Sequence, residues 1–292
     1  MGRGAAPASA RDVRVCSVGP RRRYLFCARD LFGIKPLYYY QKGACLLFAS
    51  EIKAFLAHPA FEKRLNEARL PDWLSMEYLP DRETLFAGVY ELPPAHTLCW
   101  QNGRVTLQRY AAPCFRVQRG RSLRSWAQAI GDALADSAAA HRIADVEVGC
   151  FLSGGVDSSL VVRETARNQP AVQCFSVGYR EEKYSELPAA RAAAAALGVP
   201  LTETTVTAEA FFDANRAIQW YLDEPMPTRR RCRCISCARR HGSGSRSCSR
   251  ARARMSCSAA IRCTGRPSGP NAGRIACGGR WQPCCQAAAC CT

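Results

Sequence analysis

The sequence predicts an α/β chain in two parts, a β-rich first part and a second part built on a parallel sheet. Residues 24–115 hold short runs of apolar and aromatic residues separated by turn signals, which is typical of antiparallel strands. Residues 116–227 instead alternate strand-length apolar runs with longer segments of helical period. Strands that alternate with helices at this spacing favour right-handed βαβ units on one parallel sheet.

The elements of the first part follow one another closely. A strand is predicted from Tyr24 (YLFCARD), then a turn (LFGIKP), and then a hairpin that turns at Lys42-Gly43. IKAFLAH predicts a short helix, and LPDWLSMEYLP predicts a second helix that Pro80 stops. Asn102-Gly103 predicts another hairpin, because this dipeptide adopts the left-handed backbone that a two-residue turn needs.

The second part begins with a helical segment whose apolar residues share one face, at Trp126, Ile130, Leu134 and Ala138. Further along, AVQCFSVGY and VPLTETTV predict two strands. SELPAARAAAAALG predicts a helix capped by Gly198, and AEAFFDANRAIQWYLDEP predicts another helix. These elements supply the alternation on which the predicted parallel sheet depends.

The stretch VEVGCFLSGGVDSSLVV, from Val146 to Val162, is the most informative part of the chain. An apolar strand over Val146–Leu152 ends at Ser153-Gly154-Gly155, and a helical pattern follows from about Ser158. Glycine lets a ligand approach the backbone closely, and the free N–H groups at a helix start favour an anion. Ligands of parallel sheets bind at the carboxyl ends of the strands, where this loop lies. The pattern therefore predicts a phosphate-binding loop.

The side chains of this loop suit a polyphosphate with a metal ion. Ser153, Ser158 and Ser159 offer hydroxyl groups, and Asp157 offers a carboxylate of the kind that binds Mg²⁺. The loop lacks the Gly-Lys-Ser/Thr ending of the common phosphate loop, which argues against a lysine-assisted kinase or GTPase loop. The alternative is an ordinary strand-to-helix turn rich in serine and glycine. SGGVDSS behind a buried strand resembles the pyrophosphate loop of the ATP pyrophosphatases.

The net charge of +17 is concentrated at the two ends of the chain. Residues 228–292 contain 14 Arg and 11 of the 18 Cys, without any Lys, Asp or Glu. Cys232, Cys234 and Cys237 have no second cysteine pair at zinc-ligand spacing, so neither a zinc site nor nucleic-acid binding is predicted. We expect residues 1–23 and 228–292 to be largely disordered, because neither has the apolar surface that offsets ordering entropy.

The sequence predicts a cytoplasmic protein with no membrane partner. No run approaches the roughly 18 apolar residues of a membrane-spanning helix, and the first residues lack the apolar core of a signal peptide. The cysteines before residue 228 are scattered and need not pair in a reducing compartment.

From Tyr24 to Met226 the chain resembles the bacterial type of glutamine-hydrolysing asparagine synthetase. The motifs that carry the resemblance stand in that family's order and spacing: ARDLFGIKPLYY, FASEIKAF, LPDWLSMEYLPDRETLFAGVYELPPAH, VGCFLSGGVDSS, CFSVGY, YSELPAAR and YLDEP. The resemblance implies that residues 24–115 are part of a glutaminase domain of the Ntn type. It implies that residues 116–227 are part of an ATP-pyrophosphatase domain, the asparagine synthetase domain proper.

The resemblance implies two linked reactions and the ligands of the loop. A glutaminase releases ammonia from glutamine, and the synthetase joins aspartate to ATP as β-aspartyl-AMP before ammonia displaces AMP. Mg²⁺ would lie on Asp157, and the strand-end residues Leu152 and Val177 would contact adenosine, with a place in the sheet core as their alternative. Family members are often homodimers. The residues that would hold ATP or pyrophosphate in the loop are Ser153, Gly154, Gly155, Asp157 and Ser158.

The chain departs from the family in its glutaminase part. The family's nucleophile is a cysteine directly after the initiator Met, activated by its own N-terminal amine, whereas Gly2 stands here. Cys16 and Cys27 are not substitutes, and Cys27, in the middle of a predicted strand, is expected in the core. No catalytic residue is therefore assigned, and an inactive fragment is expected.

The family's second phosphate-side loop, SGEGADE, does not follow YLDEP in the sequence. One set of synonymous codons for Cys248–Gly265 spells LSGEGADELFGGYPVYR in a shifted frame, and codons for Arg231–Ala238 can spell LPLYFLR. Codons for Asp12–Pro20 can spell MFAFALWD, the strand pair that the family has before Tyr24. These readings predict frame shifts near Arg23 and near Pro227, with residues 1–23 and 228–292 as aberrant segments.

The predicted function is ATP-dependent amidation of aspartate with ammonia from glutamine. Two alternatives stay open. One is another ATP pyrophosphatase, such as a β-lactam, GMP or NAD synthetase, although the YELPPAH segment argues against the last two. The other is a non-catalytic remnant that binds nucleotide weakly or not at all.

Overall fold

The computed structural model describes residues 14–19, 24–115, 117–141 and 148–225. These residues form two compact units that divide between Cys114 and Phe115. A short segment that begins at Asp223, directly after Leu222 of the second unit in the chain, belongs to the first unit. Because residues 226–292 lie outside the described part, the disorder predicted for the tail concerns residues that the structure does not describe.

The first unit is mainly β, as predicted. Its strands form a four-stranded sheet in the order β1-β2-β6-β7 and a three-stranded sheet in the order β4-β3-β5, all antiparallel. Its elements are β1 (Arg14–Gly19), β2 (Tyr24–Arg29), β3 (Tyr38–Lys42), β4 (Cys45–Ala49), a 3₁₀ helix (Ile52–Ala57), a 3₁₀ turn (Glu67–Arg69), α1 (Leu70–Met76), β5 (Val89–Glu91), β6 (His96–Gln101) and β7 (Arg104–Arg109).

The main core of this unit joins side chains of both sheets. Leu25 and Cys27 of β2 and Trp100 of β6 pack with Tyr39 of β3 and Leu46 of β4. Cys27 is buried there, which confirms its expected place in the core. A second cluster packs the opposite side of the three-stranded sheet against the 3₁₀ helix, and its buried members are Tyr40, Leu47, Ile52, Phe55 and Val89.

Strand β1 lies inside the segment predicted to be disordered, so that expectation is wrong for these residues. β1 pairs with β2 along its whole length, from Arg14 opposite Arg29 to Gly19 opposite Tyr24. The pairing uses main-chain hydrogen bonds, which form without the regular apolar period that this segment lacks. Residues 1–13 and 20–23 lie outside the described part.

Both predicted hairpins are confirmed. β3 and β4 turn at Gly43, whose φ of 57° is left-handed. β6 and β7 turn at Asn102 and Gly103, with φ of 51° and 75°. In the second hairpin, positive φ at both central residues gives the type of turn that matches the right-handed twist of paired strands.

The predicted second helix ends earlier than expected. α1 stops at Met76, before Pro80, because Glu77 takes the left-handed conformation (φ 62°). The Glu77 N–H donates to the carbonyl of Trp73 and closes the helix. Proline therefore does not set this boundary.

Arg29 is a buried cation at the centre of the first unit. Its guanidinium donates to the carbonyl oxygens of Lys35 (2.9 Å), Leu92 (2.5 Å) and Gly33 (2.7 Å), and it forms an ion pair with Glu91 at 2.8 Å. These contacts join the end of β2 to the turn after it and to the end of β5. A buried charge with this many partners organises the loops around it.

The segment at Asp223 is held to the first unit by carboxylates. Asp223 accepts the N–H groups of Ile52 (2.8 Å) and Lys53 (3.2 Å) and the Lys53 ammonium (2.8 Å). Glu224 accepts the N–H of Leu85 at 2.5 Å. Since Glu51, the residue before the 3₁₀ helix, makes no side-chain cap, Asp223 caps that helix from a distant part of the chain.

The second unit contains the predicted parallel sheet, in the order β10-β9-β8. Its elements are α2 (Leu123–His141), β8 (Cys150–Phe151), α3 (Val156–Asn168), β9 (Cys174–Tyr179), a 3₁₀ turn (Glu182–Tyr184), α4 (Leu187–Leu197), β10 (Leu201–Val206) and α5 (Ala208–Leu222). The core of the unit combines both sheet and helix residues, and its buried members are Cys150, Leu152, Val162, Val172, Cys174, Ala194 and Val199.

One prediction for the helices of the second unit is confirmed, and another is confirmed only in part. Gly198 caps α4 with a φ of 65°, as expected. On α2, Leu134 and Ala138 are buried, whereas Trp126 and Ile130 on the same predicted face are exposed. Among the described residues, no helix combines the length and apolar character that crossing a bilayer requires.

Candidate nucleotide-binding site

The predicted phosphate loop lies at the carboxyl end of β8, the strand at one side of the parallel sheet. β8 is shorter than the predicted strand Val146–Leu152, whose first two residues lie outside the described part. The ladder continues past β8, because the Leu152 N–H donates to the carbonyl of Phe175 at 2.9 Å. The loop therefore starts from a strand end that is fixed by its neighbour.

Gly154 gives the loop its shape. Its φ of 78° is left-handed, and a Cβ at this position would overlap the backbone of Ala189 in α4 and lie 2.6 Å from the Ala189 oxygen. Real Cβ contacts do not come below 3.0 Å. Both the backbone angle and the lack of space require glycine, which explains the first glycine of the motif.

Two serine hydroxyls close the loop on itself. Ser158 Oγ accepts the N–H of Ser153 (3.3 Å), donates to the carbonyl of Gly155 (3.1 Å) and lies 3.0 Å from Ser153 Oγ. The N–H of Gly155 donates weakly to Ser153 Oγ at 3.4 Å. Of the predicted hydroxyl groups, the structure thus brings Ser153 and Ser158 together.

Helix α3 begins at Val156, two residues earlier than the pattern indicates. Gly155 is its N-cap residue and makes no side-chain cap. The first main-chain bond of the helix runs from the Ser159 N–H to the Gly155 carbonyl at 3.0 Å. The N–H groups of Val156, Asp157 and Ser158 precede it and have no intrahelical acceptor, and N–H groups at a helix start are the kind of donor that phosphates use.

Asp157 lies on the first turn of α3 and is exposed. Among the residues that the structure describes, it belongs to no cluster of three metal-ligating side chains. Mg²⁺ in nucleotide sites is commonly held by one or two carboxylates together with substrate phosphates. The single carboxylate among the described residues of the loop therefore fits a Mg²⁺ ion that enters with a nucleotide.

The two strand-end residues have different surroundings. Leu152 is 1% exposed and packs in the core between the sheet and α3 and α4. Val177 is half-buried on β9, opposite Thr204 of β10. At the start of β9, burial raises the pKa of the Cys174 thiol to about 11, so this cysteine stays protonated at neutral pH.

Sequence reasoning missed the role of α4. Ala189, which touches Gly154, and Gly178, at the end of β9, were not candidates for the site. Neither has a chemically active side chain, and their part in the site comes only from the contact of α4 with the two strand ends.

Comparisons with known proteins agree with both halves of the chain. A family described as asparagine synthase matches residues 129–242, and one described as a glutamine amidotransferase domain matches residues 16–111. Both stand in the order that the motifs indicate. Together the two matches support a fragment similar to asparagine synthetases.

Curated asparagine synthetases are similar over most of the chain. Glutamine-hydrolysing asparagine synthetase 1 of Bacillus subtilis is 33% identical over 204 residues, which are 69% of this chain. A putative glutamine-hydrolysing asparagine synthetase of Mycobacterium bovis is 36% identical over 214 residues, or 70% of this chain. In both cases the chain spans 32% of the length of the relative.

One solved structure, an NH3-dependent NAD synthetase from Campylobacter jejuni, is 17% identical and covers 40% of this chain and 49% of its own. The TM-score of this match is 0.27. The asparagine synthetase family matches themselves start before Tyr24 and end after Pro227, so they cross the two borders that the charge and cysteine content indicate.

Proposed function

We propose that the loop from Ser153 to Ser158 binds the pyrophosphate part of ATP with Mg²⁺, within a protein that makes asparagine from aspartate. The observation that supports this is the loop itself: a left-handed Gly154 packed on α4, followed by the uncapped start of α3 at the carboxyl end of a parallel sheet. An ordinary turn needs no such packing.

In this proposal the reaction has two steps at the synthetase domain. A carboxylate oxygen of aspartate forms a bond to the α-phosphorus of ATP, and pyrophosphate leaves. Ammonia then forms the amide bond at the activated carbon, and AMP leaves with the oxygen that joined this carbon to phosphorus. The N–H groups at the start of α3 would bind the leaving pyrophosphate, and Asp157 would bind Mg²⁺ that neutralises its charge.

The finer points of the proposal follow from the family. The first unit would be part of an Ntn-type glutaminase that supplies ammonia from glutamine. The protein would be cytoplasmic and a homodimer, with Leu152 and Val177 contacting adenosine through the strand ends. A β-lactam synthetase or a non-catalytic remnant is the competing outcome, and activity assays with aspartate, ATP and ammonia separate the three.

Replacement of Asp157 by Asn tests the site. We expect the affinity for ATP with Mg²⁺ to fall at least about tenfold, roughly 1.4 kcal/mol, because the metal loses its charged protein ligand. Isothermal titration on the whole chain measures it. Asp213→Asn on α5, another exposed carboxylate, is the matched control and should bind as the parent does. Equal affinity of the Asp157 variant and the parent would contradict the assigned role.

A further inference from the structure

Gly178 lies at the carboxyl end of β9 and packs against the residues that open α4. A Cβ on Gly178 would overlap Ser185 Oγ and would lie 2.5 Å from Leu187 Cγ and 2.7 Å from Leu187 Cδ1. These approaches are closer than any that real Cβ atoms show. Gly178 does not have a positive φ, so its backbone would accept other residues. The need for glycine here is therefore a matter of space alone.

The side chains in the way cannot move aside easily. Leu187 is buried, with only 6% of its surface exposed. Ser185 Oγ accepts the N–H of Leu187 in a weak hydrogen bond of 3.4 Å. Because protein interiors are close-packed, an added methyl group at Gly178 would be accommodated mainly by a shift of the helix start.

The same helix start touches the phosphate loop. Ala189, two residues after Leu187, contacts Gly154 through its backbone and its Cβ. The first turn of α4 therefore lies against β9 at Gly178 and against the loop at Gly154. A displacement imposed at one contact reaches the other through the start of α4, where Leu187 and Ala189 lie two residues apart in the chain.

We propose that Gly178 is a positioning residue for the pyrophosphate loop, and that it acts through the first turn of α4. The proposal rests on the proposed nucleotide function for its consequence, although the link between Gly178 and the loop stands on the contacts alone. Gly178 itself bears no side chain and donates nothing to a ligand. Its absence of a Cβ lets α4 approach closely enough to hold Gly154 in its left-handed conformation.

The link is tested first on the whole chain without nucleotide. Gly178→Ala should shift the backbone amide resonances of Gly154 and Gly155, which are remote in sequence. Gly131→Ala on α2 is the matched control, because a Cβ there meets nothing within 4 Å, and it should leave both resonances in place. A folded Gly178→Ala chain with unchanged loop resonances would overturn the proposal.

A compensating variant covers the case in which Gly178→Ala does not fold. Ser185→Gly with Leu187→Ala removes the atoms that the new methyl group would meet, and serves as the reference. Adding Gly178→Ala to this pair should leave the loop resonances where the reference has them. If the combined variant loses them or unfolds while the reference folds, steric contact with the helix start is not the cause.

The affinity for ATP with Mg²⁺ gives the functional readout. Gly178→Ala should weaken it about tenfold or more, roughly 1.4 kcal/mol, because the loop would lose its binding geometry, and the combined variant should recover the affinity of its reference. If the parent chain binds no ATP, the nucleotide proposal fails while the resonance test still decides the positioning role. Equal affinity of Gly178→Ala and the parent would overturn the functional part.

Discussion

The left-handed glycines of two hairpin turns in the first unit and of the phosphate loop in the second unit serve different purposes. In the first unit, Gly43 and Gly103 lie in hairpin turns where an added Cβ would meet nothing within 4 Å. In the second unit, Gly154 has the same kind of backbone but packs against α4. The conformation of a hairpin turn is determined by a few neighbouring residues, whereas that of the phosphate loop also depends on its contact with α4. This difference distinguishes a turn that reverses the chain from a turn that presents a site.

The largest expected effect concerns the DNA, because a restored reading frame would change the second unit. We predict that the DNA encodes MFAFALWD out of frame before Tyr24, and LPLYFLR and LSGEGADELFGGY out of frame after Pro227. A corrected chain would give the second unit a second phosphate-side loop, with asparagine synthesis from aspartate, ATP and ammonia as the expected gain. Resequencing the locus decides it. The match to the asparagine synthase family runs past Pro227 to residue 242. The DNA sequence should therefore be checked most closely for the position of the second frame shift.

Substituting alanine at Gly154 and at Gly43 separates the two kinds of turn. Gly43→Ala should cost about 1–2 kcal/mol of unfolding free energy, the strain of a left-handed residue with a Cβ. Gly154→Ala should cost about 1–3 kcal/mol beyond that, because the methyl group overlaps Ala189, and it should abolish ATP binding. Urea unfolding and titration calorimetry measure both. Equal costs at the two positions would show that packing on α4 does not matter.

Replacing Asp223, which follows α5 in the chain, tests how far the stability of the first unit depends on residues that are distant in sequence. Asp223→Ala should lower the free energy of unfolding by about 2–3 kcal/mol, because the Asp223 side chain is 6% exposed and Lys53 would lose its main partner. The amides of Ile52 and Lys53 should exchange with solvent faster. Asp213→Ala on α5 is the exposed control. Unchanged exchange at both amides would contradict the cap.

The smallest expected effect concerns one glutamate in each unit. Burial, with help from Glu91 and Asp223, raises the pKa of Glu224 in the first unit. The Arg191 guanidinium lowers the pKa of Glu203 in the second unit. A raised carboxyl pKa means that the contribution of Glu224 is lost as the pH rises through its folded pKa. The contribution of Glu203 is instead lost as the pH falls below its ordinary value of 4.5.

Glutamine at each position should therefore act in opposite directions at neutral pH. Glu224→Gln should slightly raise the free energy of unfolding, since the amide oxygen still accepts the Leu85 N–H without a buried charge. Glu203→Gln should slightly lower it, since the ion pair with Arg191 is lost. Unfolding curves between pH 4 and pH 8 measure both. The same sign for both variants would contradict the assigned environments.

Local patterns in the sequence determined much of this protein. The hairpin at Asn102-Gly103, the helix cap at Gly198 and the strand–helix alternation of the second unit were all predictable. Each depends on the backbone preferences of neighbouring residues or on a repeating apolar period. The ordered motifs also pointed to the family that the comparisons bear out.

Tertiary structure decided the features that join distant residues. The strand pairing of Arg14–Gly19, the capping of Ile52 by Asp223 and the contact of Gly154 with Ala189 have no local signal. A short strand forms because a neighbour offers its main-chain groups, and a glycine is required because another helix occupies the space of its Cβ. Such requirements arise between residues far apart in the chain, and the packed fold alone brings those residues together.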